Sequence, residues 1–453
     1  GIRYATAGLL FLASDEETTA SDLKNCYSKV TFYLTENLGG KESKGWNIEG
    51  LGYNYYPMGN FVGPFGIAMK RHDASMDIAA LPQVRMTYWS IFAALSKAMG
   101  GIHPDFGDDN PGTNGEGAYG QAFYYAPPEL LPGIAYWFDK MYGATGNGTY
   151  DNARGGILWT MLFHPGATVK PEDPMTIPAW NKAQADPQGN GYVLYRNAYK
   201  DENDITAMLY AKLRGAKGHA GPDALSFRIQ GLGAAMAVGG GRYGPKTNGQ
   251  DVYWRSQNTL YPVDPDEKLT NNSNAGKFTI PPVIAADGGG SSAMEISTSN
   301  IGTKNHKRRF LADYSPQTSA SAAFIVSDSS EDGAFWQFCT IEPNSITSDA
   351  KSFTVTAPNG ATLKATVLHP ESGVTFKTGT RPRGSKFLEI ENNRFVHFGN
   401  PEGDYLVVMT LATKGKPHPQ VAAKGNWGGD APDGMVKVGN RVYTIQGDSI
   451  SAK

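Results

Sequence analysis

The sequence predicts an α+β multidomain protein in which paired antiparallel helices come first and a large antiparallel β-sandwich follows. Three observations predict it. Apolar residues recur with a helical period in the first third of the chain, they recur with an alternating period from about Tyr192 onward, and turn signals divide the second part at short intervals. At 453 residues and 40% hydrophobic content, the chain is too long for one core of ordinary size. The expected division is a helical domain at 1–190 and a β-sandwich domain at 191–453, with a smaller C-terminal β subdomain from about 345.

The helical elements can be read in order. In 21–38, Leu23, Cys26, Val30, Tyr33 and Leu34 recur at spacings of three and four, and Gly39 and Gly40 supply a stop. In 82–99 the stripe is Val84, Tyr88, Ile91, Leu95 and Met99, ending at Gly100; in 129–142 it is Leu130, Ile134, Trp137, Phe138 and Met141, ending at Gly143. Consecutive amphipathic helices that need one another's apolar faces imply stacked pairs, as in an α-solenoid or an α/α toroid. Residues 1–13 lack the charged start and cleavage site of a signal peptide and read as the inside of a helix. Between the helices, 46–66 and 103–125 are rich in Gly, Asn, Pro and aromatic residues and read as long functional loops.

The expected strands are 205–213, 226–230, 323–328, 335–339, 352–357, 362–368, 386–391 and 405–411. Asn359-Gly360 and Gly439-Asn440 are hairpin signals. No stretch of 18 apolar residues suggests a membrane span. No coiled-coil, nucleotide-binding or zinc-finger pattern is found, and the Gly239-Gly240-Gly241 run lacks the spacing that phosphate binding needs. A net charge of -2 gives no general basic field, so a polyanionic ligand would be held by local Arg, Lys and His groups. Cys26 and Cys339 make no disulfide framework and leave the redox compartment open.

Four stretches together carry a family resemblance. Trp46-Asn47-Ile48-Glu49-Gly50-Leu51-Gly52-Tyr53 resembles the Glu-Gly loop with its following Tyr in heparinase II/III-like polysaccharide lyases and their relative dermatan sulfate epimerase. Tyr195-Arg196 with the following apolar run is similar to the opening sandwich strands of that family. His219-Ala220-Gly221-Pro222-Asp223-Ala224-Leu225-Ser226-Phe227 resembles its His-x-His-x-Asp-x-x-Ser-Phe signature, and Lys307-Arg308-Arg309-Phe310 leading into 323–328 resembles its Arg, strand, Asp segment.

The resemblance implies cleavage of a uronic-acid-containing acidic polysaccharide by β-elimination. That chemistry needs a base beside C5, an acid beside the leaving oxygen and a group that neutralises the carboxylate. The resemblance assigns Tyr53 and His219 to the proton transfers, with Tyr56 in reserve. Glu49, Arg71, His72, His103, Arg196 and Tyr243 are candidate substrate contacts. It further implies a periplasmic or extracellular setting, an acidic polysaccharide or oligosaccharide partner, and no nucleic acid or membrane partner. A uronosyl C5 epimerase and a noncatalytic glycan-binding protein remain open as alternatives.

The sequence departs from the family at two places. Relatives hold a structural zinc where this chain has Gly221, Gly239 and Gln257, none of which ligates zinc, so no metal and no cofactor is expected. Relatives also carry the carboxylate-neutralising Asn or His on a helix before the 21–38 helix, where this sequence starts. The toroid is therefore expected to be incomplete, and the missing partner to be an upstream segment, another chain or a second copy.

Overall fold

The computed structural model describes residues 1–453 apart from 15–19, 98–102, 110–117, 143–155, 216–220, 248–249, 265–274, 299–302, 332, 386–388 and 453. It opens with helix α1 (Ile2–Ser14) packed on α2 (Ala20–Leu38), which buries Leu23, Cys26, Val30, Leu34 and Leu38, the stripe read from the sequence. Gly39, at φ 91, ends α2, where a side chain would be strained.

The segment 46–66, expected as a loop, is mostly helical. It forms α3 (Gly52–Pro57), a π turn (Met58–Val62) and α4 (Gly63–His72) in near-continuous succession. Tyr55, Met58, Val62, Phe65 and Met69 are all buried, at helical spacing. Burial of that stripe overrides Pro57 and the glycines, and the π turn lies immediately after the proline. The helix expected at 82–99 is shorter, since α5 (Pro82–Ala93) ends where Arg196 takes its last carbonyls. The remaining helices are α6 (Ala118–Tyr125), α7 (Leu131–Tyr142), α8 (Gly156–Phe163) and α9 (Pro178–Ala183).

Strands then take over, and all the strand pairs of the sheets are antiparallel. A four-stranded sheet runs in sequence order through Tyr192–Arg196, Thr206–Tyr210, Ser226–Gly231 and Ala234–Ala237. An eight-stranded sheet includes, as neighbours, Thr362–His369, Tyr405–Ala412, Ala322–Ser329, Lys304–Asp313 and Gly290–Thr298. A third sheet joins Lys377–Gly384, Ile390–Asn400, Ala334–Ile341 and Leu260–Tyr261. Both hairpin signals are observed: Asn359-Gly360 links Ser352–Thr356 to Thr362–His369, and Gly439-Asn440 links Asp433–Val438 to Arg441–Gln446.

The alternation of the central strands shows how the layers stack. Phe310, Phe324, Val326, Val407 and Met409 face a core shared with Val193, Leu209, Phe227, Trp336 and Phe398 of the other two sheets. Their neighbours Leu311, Ile325, Leu406 and Val408 point the other way, into a core with Val436, Tyr443 and Ile445. Both faces of the eight-stranded sheet are thus covered. Strands on either side of residue 345 share one sheet, and a separate C-terminal sheet begins at Val421–Asn426. Part of the predicted 386–391 strand lies outside the described residues, and the observed strand is Ile390–Asn400. Cys26 and Cys339 are buried and unbonded.

Candidate active site

Two loops cross beneath the helical layer. Leu51 N donates to Phe106 O at 3.2 Å and Asp108 N donates to Glu49 O at 3.0 Å. The crossing needs glycine on both sides: a Cβ on Gly50, at φ 127, would lie 2.3 Å from Phe106 O, and one on Gly107, at φ 66, would lie 2.3 Å from Glu49 O. The first loop is held from below, where Asn47 N donates to Asn54 Oδ1 at 2.9 Å and Asn54 Nδ2 donates to Gly45 O at 2.8 Å.

This crossing brings Tyr53, in the first turn of α3, to Asp108. The Tyr53 hydroxyl donates to Asp108 Oδ2 at 3.1 Å, while Tyr243 N donates to Oδ1 at 2.8 Å. Burial, then the charges of Asp108 and Glu49, and the hydrogen bond to Asp108 hold the Tyr53 phenol far above the ordinary tyrosine range. Tyr53 is therefore a neutral phenol with a carboxylate as its acceptor. Asp108 is 6% exposed, and in the sequence nothing sets it apart from the other acids of an Asp-rich stretch.

The β-sandwich closes on the same crossing. Gly107 N donates to Asp223 Oδ2 at 2.6 Å, and Lys212 Nζ, buried, reaches both Asp223 Oδ1 at 3.3 Å and Gly221 O. His219 lies outside the described residues, but Asp223, four residues on, is fixed against the loop that carries Asp108.

The other candidates scatter. Glu49 is half-buried, and its charge bears on Tyr53 and Tyr33. Tyr56 is 48% exposed and sets its ring edge-on to Phe61 at 5.6 Å. Tyr243 is exposed and joins the site through its backbone. Arg71 and His72, expected in a loop, form the last turn of α4 and line a cavity of about 600 Å³ with Leu9 and Trp159 that Tyr53 does not line.

Two further candidates, His103 and Arg196, lie buried among protein partners. His103 is 2% exposed, stacked on Tyr55 at 4.4 Å and paired with Asp109 at 3.1 Å, so it offers no surface to a glycan. Burial works against its charge, yet Asp109 and the carbonyl of Pro104 raise its pKa. Arg196 is wholly buried. It donates to Ala93 O at 3.2 Å, to Leu95 O, to Ala198 O at 2.7 Å and to Asp204 Oδ2 at 3.3 Å, with its guanidinium 4.0 Å from the Tyr199 ring centre. It joins the end of α5 to the sandwich and satisfies the orphan carbonyls there.

Gln257 and Gly239 are organised around an arginine. Arg228 Nη2 donates to Gln257 Oε1 at 2.6 Å, and Nε reaches Asp105 O at 2.6 Å and Asp105 Oδ1 at 3.1 Å. Gly239 N donates to both Asp105 oxygens, at 2.8 and 2.9 Å, and a Cβ there would lie 2.2 Å from Arg228 Nη2. The guanidinium thus occupies the space that Gly239 leaves and ties two sandwich segments to the helical layer. Among the described residues no group of three His, Cys, Asp or Glu side chains is placed to hold a metal ion.

Arg308 and Asp328, also singled out in the sequence, form a buried clamp. Arg308 Nε and Nη2 donate to the two Asp328 oxygens at 2.7 Å each, and Trp336 Nε1 and His306 Nε2 lie 3.0 and 3.2 Å from the same carboxylate. Burial would raise Asp328, but Arg308 prevails and holds it well below the usual carboxylate range.

A helical layer of paired helices joined to an antiparallel sandwich is the fold of the heparinase III structures. A heparinase III crystal structure is similar over 98% of this chain and 65% of its own, with TM-score 0.66 at 14% identity. A second heparinase III gives 0.64 at 14% identity over 98% and 64%, and a heparan sulfate lyase from Pedobacter heparinus gives 0.60 at 11% over 98% and 64%. This chain therefore has a heparinase III-like fold and spans about two thirds of the length of these structures. No family profile and no curated protein matches the sequence.

Proposed function

We propose that the chain cleaves a uronic-acid-containing polysaccharide by β-elimination at the cluster around Tyr53. The observation that carries the reading is the hydrogen bond from the Tyr53 hydroxyl to Asp108 at 3.1 Å. A tyrosine with so high a pKa is a poor free phenolate, but it can pass a proton along. The C5 proton goes to Tyr53 Oη as the phenolic proton goes to Asp108 Oδ2. The C5 electron pair forms the C4=C5 double bond, the C4–O bond breaks, and the leaving oxygen takes a proton from an acid, for which His219 is the candidate. Tyr53 then needs no net ionisation. The heparinase and heparan sulfate lyase names of the structural neighbours support an acidic glycan as substrate, and an extracellular or periplasmic setting suits such a polymer.

The test is a panel of acidic polysaccharides followed by the ultraviolet absorbance of unsaturated uronic products. Tyr53→Phe should abolish turnover, by about three orders of magnitude or more, with glycan binding retained. Solvent deuterium entering C5 without any absorbance would mean an epimerase. Neither signal on any acidic glycan would sink the catalytic reading and leave a binding protein.

A further inference from the structure

Both loops of the crossing are anchored on the same short piece of the sandwich. The strand Thr206–Tyr210 ends at Tyr210, whose hydroxyl donates to Ile48 O at 3.0 Å and whose ring stacks on Tyr192 at 4.0 Å. Tyr192 in turn donates to Asn47 O at 3.3 Å, so the loop that leads into Tyr53 rests on two stacked phenols. Two residues beyond Tyr210 stands Lys212, which reaches the other loop through Asp223.

Lys212 is held there against its own preferences. Its backbone is left-handed, at φ 54, a conformation that few residues with a side chain adopt. The chain is pinned on either side of the bend: Ala211 N donates to Gly191 O at 2.8 Å, and Lys212 O accepts from Gly276 N at 2.8 Å. The ammonium is buried, with the side chain 1% exposed, and Asp223 at 3.3 Å is its one carboxylate partner among the described residues. Burial lowers its pKa, and Asp223 works against that. A strained backbone and a buried cation persist only where the surrounding structure enforces them, and such features cluster at functional sites.

The arrangement fixes the direction of one carboxylate. Lys212 Nζ takes Asp223 Oδ1, and Oδ2 accepts from Gly107 N at 2.6 Å. Gly107 is pressed against Glu49 O on its other side, and the residue after it is Asp108. From Lys212 the path therefore runs through Asp223, Gly107 and Asp108 to the Tyr53 hydroxyl, closing at 3.1 Å.

We propose that Lys212 is a positioning residue for the proton-transfer pair: by fixing Asp223 against Gly107, it sets the distance between Asp108 and the Tyr53 hydroxyl. The proposal deepens the lyase reading and rests on it for the use to which the pair is put. A misplacement of about 1 Å in reacting groups costs about 10²-fold in rate, so a clamp two groups away from the chemistry controls turnover without touching substrate.

The test has one readout without substrate and one with it, both on the whole chain. In protein labelled with ¹³C at the tyrosine ring carbon that bears the hydroxyl, the Tyr53 signal is assigned by its loss in Tyr53→Phe. Lys212→Met should move that signal in the direction that Asp108→Asn moves it, because both loosen the hydrogen bond to the carboxylate. A merely structural role would lower the melting temperature and leave the signal in place. On a glycan that the parent cleaves, Lys212→Met should lower kcat about 10²-fold and change KM less than about threefold. Added to Asp108→Asn, it should cost little more, since the same path is already broken. Lys212→Met leaves the Asp223 carboxylate buried and uncompensated, so if it does not fold, Lys212→Met with Asp223→Leu carries the test. That pair leaves neither buried charge and no acceptor for Gly107 N, and the same signal shift and kcat loss are expected of it. An unmoved Tyr53 signal, a kcat within about threefold of the parent's, or a loss fully additive with that of Asp108→Asn would overturn the role of Lys212. The two proposals separate. A shifted Tyr53 signal with no unsaturated product from any polysaccharide sinks the lyase reading alone; product formation with signal and kcat unchanged in the variant sinks the positioning role alone.

Discussion

Asp108→Asn distinguishes two ways in which Tyr53 could take a proton, because they predict opposite signs. The substitution keeps size and leaves an oxygen that can still accept the Tyr53 hydroxyl at about the present 3.1 Å, but an amide cannot accept a proton. If Tyr53 relays the C5 proton to Asp108, kcat should fall about 10²- to 10⁴-fold, the usual worth of a positioned proton-transfer group, with KM changed by less than about threefold. If Tyr53 instead acts as a free phenolate, the carboxylate is a hindrance. Its pKa is raised by burial first and then by the Asp108 charge, so removing that charge lowers it, increases the phenolate fraction at any given pH, and shifts the rising limb of kcat/KM to lower pH. The assay is a pH profile of unsaturated-product formation for the parent, Asp108→Asn, Tyr53→Phe and the double variant. In a relay the double variant is no slower than Tyr53→Phe alone, since each single change already breaks the same path. A rate at pH 8 equal to or above the parent's would refute the relay.

Three further outcomes test the scaffold. Asp328→Asn leaves the Arg308 guanidinium buried against an amide, so the sandwich should lose about 3–5 kcal/mol and its melting transition should fall by about 10 °C. Because the folded Asp328 pKa is depressed, its contribution is complete above the unfolded carboxylate value of about 4 and is lost as pH falls through the lower folded value. The gap between parent and variant in thermal melts should therefore narrow only in strong acid. Gly239→Ala should drive a methyl into Arg228, cost about 1–3 kcal/mol in urea unfolding, and reduce turnover by displacing the loop from Asp105 to Asp108. Arg196→Gln should lower thermal stability while leaving the affinity of the folded protein for glycan unchanged; a selective loss of affinity would restore Arg196 as a substrate contact.

What the sequence made legible follows from how local each signal was. The α2 stripe, the hairpins at Asn359-Gly360 and Gly439-Asn440, and the shift from helical to alternating period are short-range patterns and could be read directly. The helix through Met58 and Val62 was hidden by local signals pointing the other way: Pro57 and several glycines suggested a loop, while Tyr55, Met58, Val62, Phe65 and Met69 carried the helical spacing beneath them. The single sheet that spans residue 345 was hidden for a different reason. Thr362–His369 pairs with Tyr405–Ala412, which pairs with Ala322–Ser329, and such long-range pairing has no signature in a window of ten residues.

The candidate site divides along the same line. The motif that singles out Tyr53 is contiguous in the chain, whereas Asp108 is 55 residues away and meets it only because Gly50 and Gly107 let two backbones cross. Arg196 and His103 were chosen for their chemistry, but the same chemistry also stabilises buried junctions. A guanidinium that satisfies helix-end carbonyls and one that waits for an anion are the same residue in sequence; only the partners differ. Arg196 spends its donors on four protein acceptors, one of them a carboxylate, and sits wholly out of solvent. Arg214 is held by two neutral acceptors at the edge of a cavity with aromatic walls. Charge compensation and exposure thus separate an arginine that braces a buried junction from one still able to meet an anion.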